Sequence, residues 1–255
     1  MKLRRPVVIG LIIAVLLALL FGGFLTYSTS RTLEFAEGLQ FRRMQVALHP
    51  EDDTHRFFFV TNRTMAGQAS EEAFGNERGE VSYGIFQTAI EPALGIGMLI
   101  NPSDWFQNEE IQVRKLSTES QAVFIEELRT QVEASTDRSL LININGFRER
   151  FPSALRKTAF LAHVLDTNLP FVVFDWPGDQ GSTIRGYRRA QRIARESGKD
   201  LADLIRLIGE EIQPRNLAII ANSMGGEVVV EAFLDLYQDP AFSDPAAEIT
   251  HVVLT

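Results

Sequence analysis

Residues 217–226 have the sequence LAIIANSMGG, in which a short apolar run leads to a serine between two small residues, Ala221 and Gly225. The apolar run is typical of a strand buried on both faces, and a helical pattern begins directly after Ser223. Strand, serine and helix in immediate succession predict a nucleophile elbow, a strained turn in which the residues two positions before and after the serine must be small. We therefore predict that Ser223 is a nucleophile held above the edge of a sheet.

The same turn should direct backbone N–H groups toward the serine. The first N–H groups of a helix have no intrahelical acceptor, and they can stabilise negative charge that develops on an oxygen. The N–H of Met224 is the natural first donor. A second donor is expected from the loop after an earlier strand, and residues 141–147 (LININGF) end such a strand with Asn145-Gly146. We predict that the N–H of Phe147 is this second donor.

From Ser139 onward the chain alternates short apolar runs with longer amphipathic stretches. The runs, each expected to be a buried strand, are residues 140–144, 171–174, 217–220 and 252–254. The clearest helical stripe is formed by Leu201, Leu204, Ile205, Ile208 and Ile212. This alternation predicts an α/β fold with a mostly parallel sheet flanked by helices, and it places any site at the carboxyl ends of the strands.

Two strands and one helix are expected before this region. Residues 56–61 (RFFFVT) and 81–90 (VSYGIFQTAI) are rich in β-forming residues, and a loop with Gly, Asn and Glu separates them. We expect these two strands to be antiparallel. Residues 117–132 have a moderate amphipathic pattern that predicts a helix.

The N-terminus predicts a membrane-inserting segment. Lys2, Arg4 and Arg5 precede an apolar run over residues 6–27, which as a helix could cross a hydrocarbon core of about 30 Å. We favour an uncleaved signal anchor over a cleaved signal peptide, because the run is long and no A-x-A-like site follows it. The basic residues before the run favour a cytoplasmic N-terminus and an exported body, periplasmic in a Gram-negative cell.

The expected organisation is a signal anchor or transmembrane helix at 1–30, a tether at 31–55 and an α/β domain at 56–255. The net charge of −8 disfavours nucleic-acid binding. The absence of cysteine excludes disulfides, a thiolate nucleophile and cysteine metal sites.

No cofactor and no metal are expected, and no oligomeric state is favoured. One loop contains imidazole and carboxylate groups that could bind a divalent ion, although we favour a solvated acidic loop. Its residues are His49, Glu51, Asp52, Asp53 and His55.

Several separated segments, in this order, resemble the α/β-hydrolase superfamily, in particular its bacterial branch of esterase- and lipase-like proteins of uncharacterised function. The matching segments are Thr61-Asn62-Arg63, Tyr83-Gly84, Asn145-Gly146-Phe147, Trp176-Pro177-Gly178, Tyr187 and the elbow around Ser223. The resemblance covers the chain after the tether. Two positions depart from the family pattern, because Asn145 and Asn222 stand where the family usually has histidine.

The resemblance implies hydrolysis of a carboxylic ester, on a small-molecule or lipid-like substrate, through an acyl-enzyme on Ser223. In this fold the acid and the histidine of the triad follow the serine. They normally come after later strands, so the candidates in the last 32 residues are badly placed: Asp235, Asp239, Asp244 and His251. We therefore expect a domain that is truncated at its C-terminus and inactive as it stands. The asparagines leave an alternative, a non-catalytic membrane-anchored binding or envelope protein that retains the fold.

Two features allow more than one interpretation. Trp176 and Pro177 end a strand near the expected site, where they either line a pocket or pack in the core. A row of arginines forms a charged helix face, for which we favour solvation over contact with an anionic substrate or lipid headgroup. Its members are Arg185, Arg188, Arg189, Arg192 and Arg195.

Overall fold

The computed structural model describes residues 17–19, 48–49, 54–90, 111–165, 167–243 and 249–255. Apart from residues 17–19, all of these belong to one compact unit. Most of the predicted signal anchor and tether lies outside the described residues. Within the described ranges, no helix combines the length and the apolar character needed to cross a bilayer.

The described unit contains eight strands and four α-helices. The strands are β1 Leu48–His49, β2 Thr54–Met65, β3 Phe74–Ile90, β4 Ile111–Glu119, β5 Ser139–Ile144, β6 Phe171–Asp175, β7 Asn216–Ala221 and β8 Ile249–Leu254. The helices are α1 Gln121–Ala134, α2 Phe151–Leu165, α3 Ile184–Glu211 and α4 Gly225–Gln238. Short 3-10 helices occur at Thr136–Arg138 and Pro240–Ser243.

All eight strands form one sheet with the order β4-β3-β2-β6-β5-β7-β8, and β1 pairs with β2. The pairs among β1 to β4 are antiparallel, whereas β2, β6, β5, β7 and β8 run parallel to one another. The parallel strands also end in register, since Thr61 is opposite Asp175 and Ala221 is opposite both Ile144 and Leu254. The loops after these strands therefore emerge at one edge of the sheet.

Helices cover both faces of the sheet, which confirms the predicted α/β fold. On one face, the Phe151 ring of α2 packs edge-on against Phe59 at 5.2 Å, and Asn143 donates to the Thr158 hydroxyl at 2.8 Å. On the other face, the buried residues of α1, α3 and α4 share one core with alternate strand residues such as Ile142. Because successive strand residues point to opposite faces, continuous apolar runs are needed to fill both cores.

The antiparallel part of the sheet is larger than the sequence pattern predicts. β3 begins at Phe74 rather than at residue 81, and its added residues pair with β2 as a largely exposed ribbon. Residues 117–119 belong to β4, which the sequence analysis did not predict, so α1 begins only at Gln121. Backbone pairing with a neighbouring strand stabilises such polar segments, and it does not require the apolar alternation on which a sequence-based prediction depends.

Candidate functional site

Ser223 lies in a tight turn between the end of β7 at Ala221 and the start of α4 at Gly225. Its side chain is exposed, and its φ is +50°, a left-handed conformation that is unfavourable by about 1–2 kcal/mol for a residue with a side chain. The N–H of Asn222 donates to Ile144 O at 3.0 Å, and the N–H of Ser223 donates to a carbonyl of the residue after β8 at 2.7 Å. The turn thus has the strained strand–serine–helix geometry that the sequence predicts.

Small residues allow this turn to contact the end of β5. A Cβ atom placed on Gly225 would lie 2.7 Å from Asn145 O and 2.9 Å from Ile144 O. A Cβ atom on Gly146 would lie 3.1 Å from the Ser223 Cβ. The loop after β5 therefore lies directly against the serine turn, and glycine at both positions makes this approach possible.

The two N–H groups predicted as oxyanion donors have no hydrogen-bond acceptor among the described residues. These are the N–H groups of Met224 and Phe147. By contrast, the N–H groups directly after each of them, those of Gly225 and Arg148, donate to backbone carbonyls at 2.8 and 3.0 Å. The N-terminus of the 14-residue helix α4 adds a partial positive charge at the same place. The surroundings of Ser223 can therefore accept a developing negative charge.

The segment after β6 supports the loop after β5 from behind. The Nε1 of Trp176 donates to Asn145 O at 2.8 Å, and the Trp176 side chain is only 1% exposed. A Cβ atom on Gly178 would lie 2.7 Å from Gly146 O. Trp176 therefore packs in the core and fixes the loop, rather than lining an open pocket. Tyr187, another residue of the family resemblance, packs its exposed ring edge-on against Phe147 at 5.3 Å.

A buried ion pair lies next to these loops. Arg63 contacts Asp175 through two hydrogen bonds, Nε to Oδ2 at 2.6 Å and Nη2 to Oδ1 at 3.1 Å, and both side chains are at most 1% exposed. The Thr61 hydroxyl also donates to Asp175 Oδ2 at 2.8 Å. Removing one partner of such a pair costs about 3–5 kcal/mol, because it leaves an uncompensated buried charge.

The two terminal nitrogens of Arg63 also connect three other parts of the chain, and Nη2 shares its two hydrogens among three acceptors. Nη2 donates to Trp176 O at 2.7 Å and to Glu149 O at 2.8 Å, and Nη1 donates to Gly75 O at 3.1 Å and to Asn76 Oδ1 at 3.0 Å. One guanidinium thus ties the end of β2 to the loops after β5 and β6. The sequence predicts no role for Arg63 beyond its place in the family resemblance. Its available signal was a pair of charged residues, Arg63 and Asp175, that each follow an apolar run.

Asn145 and Asn222 flank the candidate site, and neither side chain makes a hydrogen bond to the serine hydroxyl. Asn145 is buried, and its amide nitrogen lies 3.5 Å from Ala154 O, at the long limit of a hydrogen bond. Asn222 is exposed, and its amide donates to the Thr255 hydroxyl at 3.2 Å. A neutral amide cannot accept a proton near neutral pH, so neither side chain can act as a general base.

Of the acids and the histidine in the last part of the chain, Asp235, Asp239 and His251 lie away from Ser223, as predicted. Asp235, near the end of α4, and Asp239, directly after that helix, accept hydrogen bonds from Arg206 at 2.6 and 3.0 Å. His251 lies on β8, opposite Ala218 of β7. Ala218 is three residues, or about 10 Å, before the carboxyl end of its strand, so His251 is equally far from that edge of the sheet. Asp244 lies outside the described residues.

The other histidines are also far from Ser223. Two lie at the edge of the sheet where the parallel strands begin, and the third lies near the end of a helix that runs back toward that edge. His49 and His55 lie on β1 and at the start of β2, and His163 lies near the end of α2. In the part of the chain that the structure describes, the Ser223 hydroxyl has no hydrogen-bond partner. Of the suggested acidic loop between His49 and His55, residues 51–53 lie outside the described residues.

The comparison with protein families agrees with this geometry. The model of the family described as "Alpha/beta hydrolase of unknown function (DUF900)" matches residues 120–255, just over half of the chain. The match begins before α1 and includes both loops and the serine turn. Searches of curated proteins and of solved structures found no match. Because the family model matches more than half of the chain, the chain belongs to this α/β-hydrolase family of unknown function.

Proposed function

We propose that this protein is a serine hydrolase that cleaves carboxylic esters through an acyl-enzyme on Ser223. The observation that carries the proposal is the strained, exposed conformation of Ser223 beside two unpaired N–H groups, those of Met224 and Phe147. The substrate class is a small-molecule or lipid-like ester. We further propose that residues 1–30 anchor the protein in the inner membrane with its body in the periplasm, on the basis of the basic residues and the apolar run near the N-terminus.

In the proposed reaction, the Ser223 oxygen attacks the ester carbonyl and gives up its proton to a base. The Met224 and Phe147 N–H groups stabilise the oxyanion of the tetrahedral intermediate, a contribution of about 3–4 kcal/mol for a single donor in related sites. Collapse of the intermediate expels the alcohol and leaves an acyl-serine, which water then hydrolyses. No histidine lies beside Ser223 among the described residues, so the proposal assigns roles only to the nucleophile and the oxyanion donors.

A fluorophosphonate probe tests the nucleophile directly, because it reacts with activated serines and leaves ordinary serines unmodified. The full-length protein is expected to become labelled, and Ser223→Ala should remove the label. Ser70→Ala, which changes an exposed serine in the turn between β2 and β3, is the matched control and should keep it. An unlabelled full-length protein, or equal labelling of Ser223→Ala, would refute the proposal.

The alternative is a membrane-anchored binding or envelope protein that has kept the fold without catalysis. It is favoured by one observation, that the serine hydroxyl has no side-chain partner within the described residues while neutral asparagines occupy positions 145 and 222. The probe experiment separates the two functions. A folded full-length protein that resists labelling would support the binding protein.

A further inference from the structure

A polar cavity of about 460 Å³ lies beside the candidate site, between the loops after β5 and β6. The side chains that matter for its chemistry are Asn76, Arg148, Glu149, Arg150, Ser153 and Asp179. None of these residues takes part in the proposed acyl transfer.

The charges of the cavity are unevenly compensated. Asp179 accepts a hydrogen bond from Arg150 at 3.0 Å, and Glu149 is paired with Lys157. Both carboxylates that line the cavity therefore have a cationic partner. The guanidinium of Arg148 has no hydrogen bond or ion pair within the described part of the chain, so it supplies the unbalanced charge of the cavity.

The backbone that carries Arg148 is fixed in an unfavourable conformation. Its φ is +65°, which places a long side chain in the left-handed region at a cost of about 1–2 kcal/mol. The Arg148 N–H donates to Gly178 O at 3.0 Å, and the buried Arg63 holds the next carbonyl, that of Glu149, at 2.8 Å. Strain that surrounding contacts maintain in this way is typical of ligand-binding loops.

Arg148 is also close to the proposed nucleophile. Gly146 lies so close to Ser223 that a Cβ atom placed on this glycine would be 3.1 Å from the Ser223 Cβ. Arg148 follows Gly146 by two residues, so their Cα atoms are at most about 7.6 Å apart. The side chain of Arg148 can therefore reach a group that is separated by a few carbon atoms from a carbonyl at Ser223.

We propose that this cavity binds a carboxylate of the substrate through the guanidinium of Arg148. The planar guanidinium of an arginine presents two parallel N–H groups whose spacing matches the two oxygens of a carboxylate. The resulting charge-assisted hydrogen bonds are stronger than neutral ones. The favoured substrates are then half-esters of dicarboxylic acids, in which the ester carbonyl and a free carboxylate belong to the same acid. This choice of substrate rests on the proposed function, whereas carboxylate binding by the cavity does not.

Binding is tested without catalysis by calorimetric titration of glutarate into the full-length Ser223→Ala protein. Adding Arg148→Gln should weaken binding about tenfold or more, the loss expected for hydrogen bonds to a charged group. The matched control is Arg114→Gln, which changes an exposed arginine on β4 that also has no partner within the described residues. Equal binding by the Arg148 and Arg114 variants, or no binding of millimolar glutarate by the parent protein, would overturn the proposal.

Substrate choice is tested by comparing kcat/KM for the mono-p-nitrophenyl ester of glutaric acid with kcat/KM for p-nitrophenyl butyrate. The ratio should favour the acidic ester and fall about tenfold in Arg148→Gln, but not in Arg114→Gln. An unchanged ratio in Arg148→Gln would refute the assignment of substrate class. If neither ester is cleaved, the proposed function fails, and the glutarate titration still decides whether the cavity binds a carboxylate.

Discussion

Ser223 is one of five non-glycine residues with positive φ in the described part of the chain. A glycine would adopt this conformation without steric cost. The serine instead places an exposed hydroxyl at the carboxyl edge of the sheet, where it makes no hydrogen bond to the described residues. Since the hydroxyl contributes no such contact to the fold, its position in a strained turn supports the proposed chemical role.

Replacing Ser223 by glycine should therefore stabilise the protein relative to Ser223→Ala. Alanine keeps the Cβ atom and its strain, whereas glycine removes both, so we expect the free energy of unfolding to differ by about 1 kcal/mol in favour of glycine. Urea denaturation of the two variants measures this difference. Both variants lack the hydroxyl, so its own effect on stability cancels.

A second strained position provides the control for this comparison. Gln213, in the turn before β7, has a φ of +51° and lies at the opposite end of that strand from Ser223. Gln213→Gly should exceed Gln213→Ala in stability by a similar amount. If glycine stabilises position 213 and not position 223, the backbone at Ser223 is not strained as described.

The approach of α4 to β5 depends on the absence of a side chain at Gly225. Gly225→Ala would bring a methyl group within 2.7 and 2.9 Å of two backbone carbonyl oxygens, which cannot move without displacing the strand. We expect a loss of about 1–3 kcal/mol in the free energy of unfolding, the usual cost of overpacking. Because the helix must shift, the rate of fluorophosphonate labelling at Ser223 should fall as well.

Gly226, the next residue of the same helix, is the matched control. A Cβ atom there would meet only Leu254 Cδ2 at 3.8 Å, an ordinary van der Waals distance. Gly226→Ala should therefore be neutral or stabilising by up to about 1 kcal/mol, since alanine favours helix. Equal effects of the two substitutions on unfolding would contradict the packing argument.

The elements that the sequence predicted well are those whose signal is local. Residues 217–226 contain the strand, the turn and the small flanking residues in one stretch, so the geometry at Ser223 could be predicted without knowledge of the rest of the fold. β4 and the first half of β3 could not be predicted from local sequence, because their polar residues adopt strand conformation by pairing with strands that are distant in sequence. The contact between Arg63 and Asp175 spans 112 positions, and a sequence pattern does not reveal such a partner.

The arginine-rich face of α3 has a largely electrostatic role in the molecule as a whole. Arg189 pairs with Glu77 at 2.6 Å, and Arg195 pairs with Glu227 at 2.7 Å. These pairs are exposed and screened by solvent, so they add little to stability, but they neutralise acids on neighbouring elements of an acidic chain. The pairing favours the interpretation of this face as a solvated surface.

The other charges of α3 act on a half-buried tyrosine of the sheet. Tyr83 of β3 packs its ring against Phe124 of α1 at 5.2 Å. Burial raises the pKa of Tyr83 above its usual value of 10.0, and the negative charges of Asp203 and Asp200 raise it further. The folded protein therefore holds the phenol proton more tightly than the unfolded chain does.

This difference predicts a loss of stability at alkaline pH. Well below pH 10 the phenol is protonated in both the folded and the unfolded chain, so its contribution does not vary with pH. As the pH rises further, the unfolded chain loses the proton first, and the stability of the folded state falls until Tyr83 ionises there as well. Urea denaturation of the wild type and Tyr83→Phe between pH 8 and pH 11 should give a constant difference at the lower end and a relative loss for the wild type at the upper end. Asp203→Asn should reduce that loss, because it removes one of the charges that raise the pKa. A difference between wild type and Tyr83→Phe that stays constant over the whole range would show that neither burial nor the α3 carboxylates favour the protonated phenol.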